Sequence, residues 1–116
     1  MNNPEPSSVW HQAHGVSLRI YRMSEAVPPD LQHFIRERTI LVPPNISREG
    51  TFLAPPAHLH MLEEAFRQVH QLEYLLLLSK DLGYLAADHQ ERSTRDLVAL
   101  RKSIHDGIKL LTQKRG

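Results

Sequence analysis

A run of four consecutive leucines, Leu75–Leu78, constrains this chain more than any other feature. Apolar residues continue at helical spacing before the run, and Gly83 follows it as a helix stop, because glycine accepts a left-handed backbone at little steric cost. Four apolar residues in a row leave no face of a helix polar, so this helix must be buried on more than one side. In a chain of 116 residues we expect that burial to need partner subunits.

The length and composition are those of a single globular domain spanning residues 1–116, with residues 1–6 as a disordered tail. The chain has no cysteine, which excludes disulfides, thiolate metal sites and cysteine catalysis. We recognise no signal peptide, and no apolar run approaches the roughly 20 residues that cross a bilayer. We therefore expect a soluble, cytoplasmic protein.

Four segments have apolar residues at intervals of three and four, and no segment alternates in the manner of a strand. The pattern predicts an all-α fold, an antiparallel up-and-down four-helix bundle. Caps are predicted from side chains that accept a hydrogen bond from a free backbone amide. They are Ser7 or Ser8 for the first helix, Asp30 for the second, and Asp88 with Glu91 as a capping box for the fourth.

Prolines and glycines predict where the helices end and where they pack closely. Pro28 and the proline after it end the first helix, and the second continues to Val42 before it kinks or stops at Pro43. Pro56 suits the first turn of the third helix. Gly107 costs about 1 kcal/mol relative to alanine within a helix, so we expect another helix to approach closely there.

Four motifs occur in order along residues 9–111. They are Val9-Trp10-His11-Gln12-Ala13, Ile20-Tyr21 with Pro28, Val42-Pro43-Pro44-Asn45-Ile46, and Glu73 with Leu76-Leu77 through Lys80-Asp81-Leu82-Gly83-Tyr84-Leu85. In this the chain resembles the four-helix-bundle proteins encoded by intervening sequences of bacterial large-subunit ribosomal RNA genes. It departs from them after Asn45, where the acid and the glycine of the family turn lie one position late, at Glu49 and Gly50.

The resemblance implies a cytoplasmic bundle that assembles into a ring, typically of five subunits, with no established enzymatic activity. A related branch is the accessory protein of diversity-generating retroelements, which is also a pentameric bundle and binds a reverse transcriptase and nucleic acid. On these grounds, and because of the leucine run, we predict a homo-oligomer interface that includes Tyr74, Leu75 and Leu78.

Glu73 lies beside the leucine run, where a charge is costly unless it is paired. Arginine offers a bidentate fork to a carboxylate, so we predict an ion pair with Arg36 or Arg38 of the second helix. A catalytic carboxylate would need a second acid or a base nearby, and the sequence identifies none. With no nucleophile or phosphate-loop motif either, we predict that the protein is not an enzyme.

Eight histidines raise the question of a metal site. His11 and His14 are spaced to share a helix face, but no third ligand is evident, so we expect solvated or capping histidines and no metal or other cofactor. We expect His70 to form a local hydrogen-bonded pair with Glu73.

Charge is distributed unevenly, because residues 1–90 carry a net −3 and residues 91–116 a net +4. Such asymmetry indicates nucleic-acid contact, or a solvated helix face whose last cations suit the helix dipole. Positions 101, 102 and 109 are expected on different sides of one helix, and the chain end is expected to matter most. The candidate residues are Arg101, Lys102, Lys109, Lys114 and Arg115.

These features together predict a non-enzymatic, homo-oligomeric scaffold, pentameric if the resemblance holds, that binds RNA or a nucleoprotein through its basic C-terminal helix. Two alternatives remain open. One is a protein-interaction module without a nucleic-acid role, and the other is an accessory subunit of a retroelement reverse transcriptase.

Overall fold

The computed structural model describes residues 6–46 and 55–115, and the prediction of an all-α fold is confirmed for this part of the chain, which holds four α-helices and no strand. Single turns of 3-10 helix, Ser24–Ala26 and Pro43–Asn45, follow the first and second helices. The four helices are α1 (Pro6–Met23), α2 (Pro29–Thr39), α3 (Pro55–Asp81) and α4 (Ala87–Arg115).

Each helix contacts two others, since α1 and α3 both pack against α2 and α4. The side-chain contacts between neighbours run in opposite sequence directions. Along α1 and α4, for example, Arg19 bonds to Asp96, whereas Met23, further along α1, accepts a hydrogen bond from Ser93, further back in α4. Neighbouring helices are therefore antiparallel, as expected for a helical bundle.

The core runs along the centre of the bundle and takes residues from all four helices. Its largest fully buried apolar side chains come from the predicted stripes, because a stripe at intervals of three and four faces one direction. They are Ile20, Ile35, Val42, Val69, Leu72, Leu76, Leu97, Leu100 and Ile104. Gly107 lies where predicted, against another helix: a Cβ at this position would come within 3.2 Å of Leu62 Cδ1 on α3.

The connection between α3 and α4 confirms the predicted stop at Gly83, which has φ +87°. The Gly83 amide donates to the Lys80 carbonyl at 2.9 Å, and the Tyr84 amide donates to the Ser79 carbonyl at 2.9 Å. These two bonds form a Schellman motif, which satisfies carbonyls that the end of the helix leaves without partners. The turn is short, so α4 begins beside α3 and runs back along it.

The predicted start of α3 is confirmed, since Pro56 lies in its first turn, but the other three predicted helix starts are late by a few residues. Pro6 is the first residue of α1, so the predicted caps Ser7 and Ser8 lie inside the helix, and of the predicted tail only residues 1–5 fall outside the described residues. The helix α2 begins at Pro29 with Pro28 as its cap residue, so Asp30 lies in the first turn. Proline suits these starts, because the first turn does not use its missing amide.

The predicted capping box of α4 is also wrong, because Ala87 begins the helix and Asp88 lies within its first turn. At the other end of α2, the helix stops at Thr39 and does not reach Val42. After Ile40 the backbone amides bond three residues back in place of four, which tightens the chain ahead of Pro43. The predicted end of α1 at Pro28 is late, since α1 ends at Met23.

Candidate functional site

The four leucines of the run have different environments. Leu76 is fully buried in the core, and Leu75 is partly buried against it. Leu78 is half-buried, whereas 40% of Leu77 is exposed. The fold of one chain therefore covers the inward side of this helix and leaves its outward side with apolar residues in contact with solvent.

The outward side of the leucine run and the neighbouring part of α2 carry apolar side chains, and we name this set the assembly face. It comprises Phe34, Tyr74, Leu75, Leu77 and Leu78, with 60% of Tyr74 and 49% of Phe34 exposed. A groove of about 260 Å³ separates the Phe34 side chain on α2 from Tyr74 and Leu75 on α3. Tyr74 borders both this groove toward α2 and a second groove, toward α4, that Leu77 lines. The predicted interface residues Tyr74, Leu75 and Leu78 thus lie together on one face.

Glu73 forms the predicted ion pair between helices, but with a different partner. Its carboxylate accepts from Arg101 of α4, at 2.6 Å from Nε and 3.2 Å from the second guanidinium nitrogen. The Glu73 side chain is 16% exposed and that of Arg101 30%. The prediction of Arg36 or Arg38 as partner is wrong, because Glu73 lies on the flank of α3 that faces α4, whereas α2 packs on the opposite flank.

Arg36 and Arg38 stabilise other contacts of α2. The Arg36 guanidinium donates to the buried Ser24 hydroxyl at 2.7 Å and to Glu25 at 2.9 Å, and it lies 4.4 Å from the centre of the Tyr21 ring.

Arg38 donates to the Gln71 side-chain oxygen of α3 and to Glu37, both at 2.9 Å. The two arginines therefore hold α2 against α1 and α3 respectively.

The candidate cations of α4 separate into two groups. Arg101 is committed to Glu73, whereas Lys102 and Lys109 are exposed. The prediction that these two lysines lie on different sides is wrong, since seven residues are close to two full turns. Arg95 is exposed one such interval earlier. We name Arg95, Lys102 and Lys109 the basic stripe; the predicted side chains of Lys114 and Arg115 lie outside the described residues.

The charges beside the basic stripe are partly neutralised within the fold. Asp96 bonds to Arg19 of α1 at 3.1 Å, so this acid is directed away from the cations. Asp106 is exposed between Lys102 and Lys109 in sequence and is the acid nearest to both along the chain. Phosphate contacts would therefore depend on a few well-placed cations and not on the net +4 of residues 91–116.

The histidines do not support a metal site in the described residues, where no group of three or more histidines and acids is placed to hold an ion. His11 and His14 are exposed and pack on Trp10, each with its ring centre 5.2 Å from that of the indole. His58 corrects the prediction of solvated histidines: it is 7% exposed, its Nδ1 has no hydrogen-bond partner, and burial lowers the pKa of its imidazole.

A cluster of three aromatic rings between α3 and α4 was not predicted from the sequence. His70 contacts Phe66 edge-on with ring centres 6.5 Å apart, and His105 approaches the same ring at 6.2 Å. The predicted pair of His70 with Glu73 is replaced by the bond of Glu73 to Arg101. The sequence carried a signal for one of the two contacts, because Phe66 and His70 are four residues apart and so share a helix face.

None of the helices in the described residues has a stretch that is long and apolar enough to span a membrane. No protein-family model matches the chain, and no curated protein is significantly similar to it. The resemblance to proteins of ribosomal RNA intervening sequences therefore stays a prediction from four short motifs.

Proposed function

We propose that this protein is a non-enzymatic, cytoplasmic scaffold that assembles with copies of itself through the assembly face and presents α4 to nucleic acid. The observation that carries the proposal is the position of the apolar residues of α3. The helix is apolar inward, where Leu72 and Leu76 are buried, and apolar outward, where Tyr74 and Leu77 are exposed. Packing within one chain explains why the inward residues are apolar, but it does not explain the outward ones.

Several exposed apolar side chains on one side of a helix are typical of protein–protein contact. A second copy of the chain is the occupant that we propose, because Phe34 and Tyr74 border a groove beside the Arg38–Gln71 hydrogen bond, and aromatic side chains are enriched at protein interfaces. The five-subunit ring implied by the resemblance is the arrangement that we favour. In a closed ring of this type, each subunit contributes two different surfaces to its neighbours.

Nucleic-acid contact is the second element of the proposal, and the basic stripe supports it. Arg95, Lys102 and Lys109 project from the exposed face of α4 at intervals of two turns. One subunit offers few phosphate contacts, but several copies held together make weak contacts additive. We expect Lys102 and Lys109 to contribute more than Arg101, whose charge is already paired.

Substitution of Tyr74 tests the assembly face. Because 60% of this side chain is exposed, Tyr74→Glu should leave the subunit folded while placing a charge within the interface. We expect the variant to elute as a monomer in size exclusion with light scattering, and its circular dichroism to match that of the wild type. Tyr84→Glu is the matched control, since Tyr84 is 41% exposed in the turn beyond α3.

The outcomes separate the proposal from its alternatives. An unchanged oligomer in Tyr74→Glu, or a wild type that is monomeric, would contradict the assembly face. A monomeric wild type that binds a reverse transcriptase through the same residues would favour the accessory-subunit alternative. If the wild type assembles but binds neither RNA nor DNA at low salt, the result would favour the alternative of a protein-interaction module without a nucleic-acid role.

A further inference from the structure

The ring cluster of Phe66, His70 and His105 lies at the contact between α3 and α4. Phe66 is partly buried against the core, whereas both imidazoles are exposed. Their ring centres lie 6.5 Å and 6.2 Å from that of Phe66 on either side of the helix contact. The core holds the phenyl ring in place, and the two imidazoles extend an aromatic surface from it toward solvent.

Cations border this aromatic surface on α4. Lys102, His105 and Lys109 follow the spacing i, i+3 and i+7, which places them along one side of the helix. Both lysines are exposed, and neither forms an ion pair among the contacts of the described residues. The nearby Arg101 is held by Glu73, so its guanidinium adds little free charge.

We propose that the ring cluster and these two lysines form a binding site for single-stranded nucleic acid, with an unpaired base against the imidazoles and phosphates at Lys102 and Lys109. This inference rests on the nucleic-acid element of the proposed function and names the form of nucleic acid bound. Exposed aromatic rings next to cations are the combination that binds single strands, because every base has a face that stacks.

The cluster favours a single strand over a duplex for a physical reason. In a duplex the base faces are covered by neighbouring bases, so a protein surface of this kind meets mainly phosphates and sugars. Unpaired bases expose their faces to phenylalanine, tyrosine, tryptophan or histidine rings. The lysines serve both forms, whereas the imidazoles serve only the unpaired one.

Fluorescence anisotropy with labelled single strands and a duplex tests the site. The probes are oligouridylate and oligodeoxyuridylate of about 12 nucleotides and a DNA duplex of the same length, in low salt. All probes and variants are measured at one pH, and the salt dependence of binding separates a loss of charge from a loss of stacking. Comparison of the two single strands shows whether the sugar matters.

We expect the variant with His70→Ala and His105→Ala to bind both single strands about tenfold more weakly, in keeping with the effect of removing a stacking ring. Duplex binding should change less than twofold, and the dependence on salt should be unaltered. In a second variant His105 is replaced by Phe and not by Ala, with His70→Ala kept. This restores one stacking ring and should recover most of the affinity for the single strands. His89→Ala, an exposed histidine in the first turns of the same helix, is the matched control.

Equal weakening of duplex and single strand, or no weakening of either, would overturn this site while leaving phosphate contact by the basic stripe in place. Failure of the wild type to bind any probe would instead remove the nucleic-acid element of the proposed function together with this site. Circular dichroism and the measured mass of each variant confirm that the comparison is made between folded, equally assembled proteins.

Discussion

Over residues 74–78 both sides of α3 carry apolar side chains, but the two sides have different environments. On the inward side, Val69, Leu72 and Leu76 are fully buried among the other helices. On the outward side, the aromatic Tyr74 is exposed, and so is Leu77, which is as apolar as its buried neighbours. Burial within one chain explains the first side, whereas the second has no such explanation in a monomer. The comparison separates the residues of the leucine run that the core needs from those that we propose for association.

Two adjacent leucines provide the strongest test of this comparison. On a Tyr74→Glu background, where we expect a monomer, Leu76→Ala should lower the free energy of unfolding by about 2–5 kcal/mol, because it leaves a cavity in the core. Leu77→Ala on the same background should cost less than about 1 kcal/mol, since the side chain is already exposed. Urea unfolding measures both, and similar losses for the two variants would contradict the division of the helix into two sides.

The Glu73–Arg101 pair lies between the two sides and should have an intermediate effect. Glu73→Ala leaves the guanidinium of Arg101 without its bidentate partner, but both side chains keep some contact with water. We therefore expect a loss of about 1–2 kcal/mol, between the values for exposed and for buried pairs. A double-mutant cycle with Arg101→Ala isolates the interaction. A coupling energy near zero would show that the pair does not hold α3 to α4.

His58 gives the smallest expected effect, which depends on pH. Burial lowers the pKa of its imidazole in the folded state, so below about pH 6.5 the unfolded chain binds a proton that the folded chain does not. The contribution of His58 to the free energy of unfolding is therefore fully present above that pH. It is lost as the pH decreases, by at most about 1.4 kcal/mol per pH unit for one proton.

Urea unfolding measured at pH values above and below about 6.5 tests the effect. His58→Gln removes the titrating group, so this part of the decrease should disappear, whereas the exposed His89→Gln should behave as the wild type does. A decrease of the same size in His58→Gln would assign the pH dependence to other groups.

Features set by local geometry could be predicted from the sequence. The stop at Gly83 follows from a backbone conformation that glycine adopts readily, and the core stripes follow from helical spacing. The starts of the helices were harder, because Pro6, Pro29 and Pro55 open three of them without a preceding polar cap that the sequence makes obvious. The choice between proline and a later serine or aspartate depends on packing at the ends of the bundle.

Contacts between helices could be predicted only in part. The sequence indicated that Glu73 needs a cation, but the identity of that cation depends on which flank of α3 faces which neighbour. The ring cluster was missed for a similar reason, since His70 and His105 are distant in sequence and meet only when α4 runs back along α3. The assembly residues stay a prediction, which rests on the leucine run because four apolar residues in a row indicate more than one buried side.

Sedimentation equilibrium of the unmodified protein at micromolar concentration tests the central claim most directly, because it asks whether the outward side of α3 is covered in solution. The account predicts one species whose mass is at least twice 13.3 kDa and a whole multiple of it, five times that value if the ring of the resemblance holds. A single species of 13.3 kDa across the concentration range would contradict it.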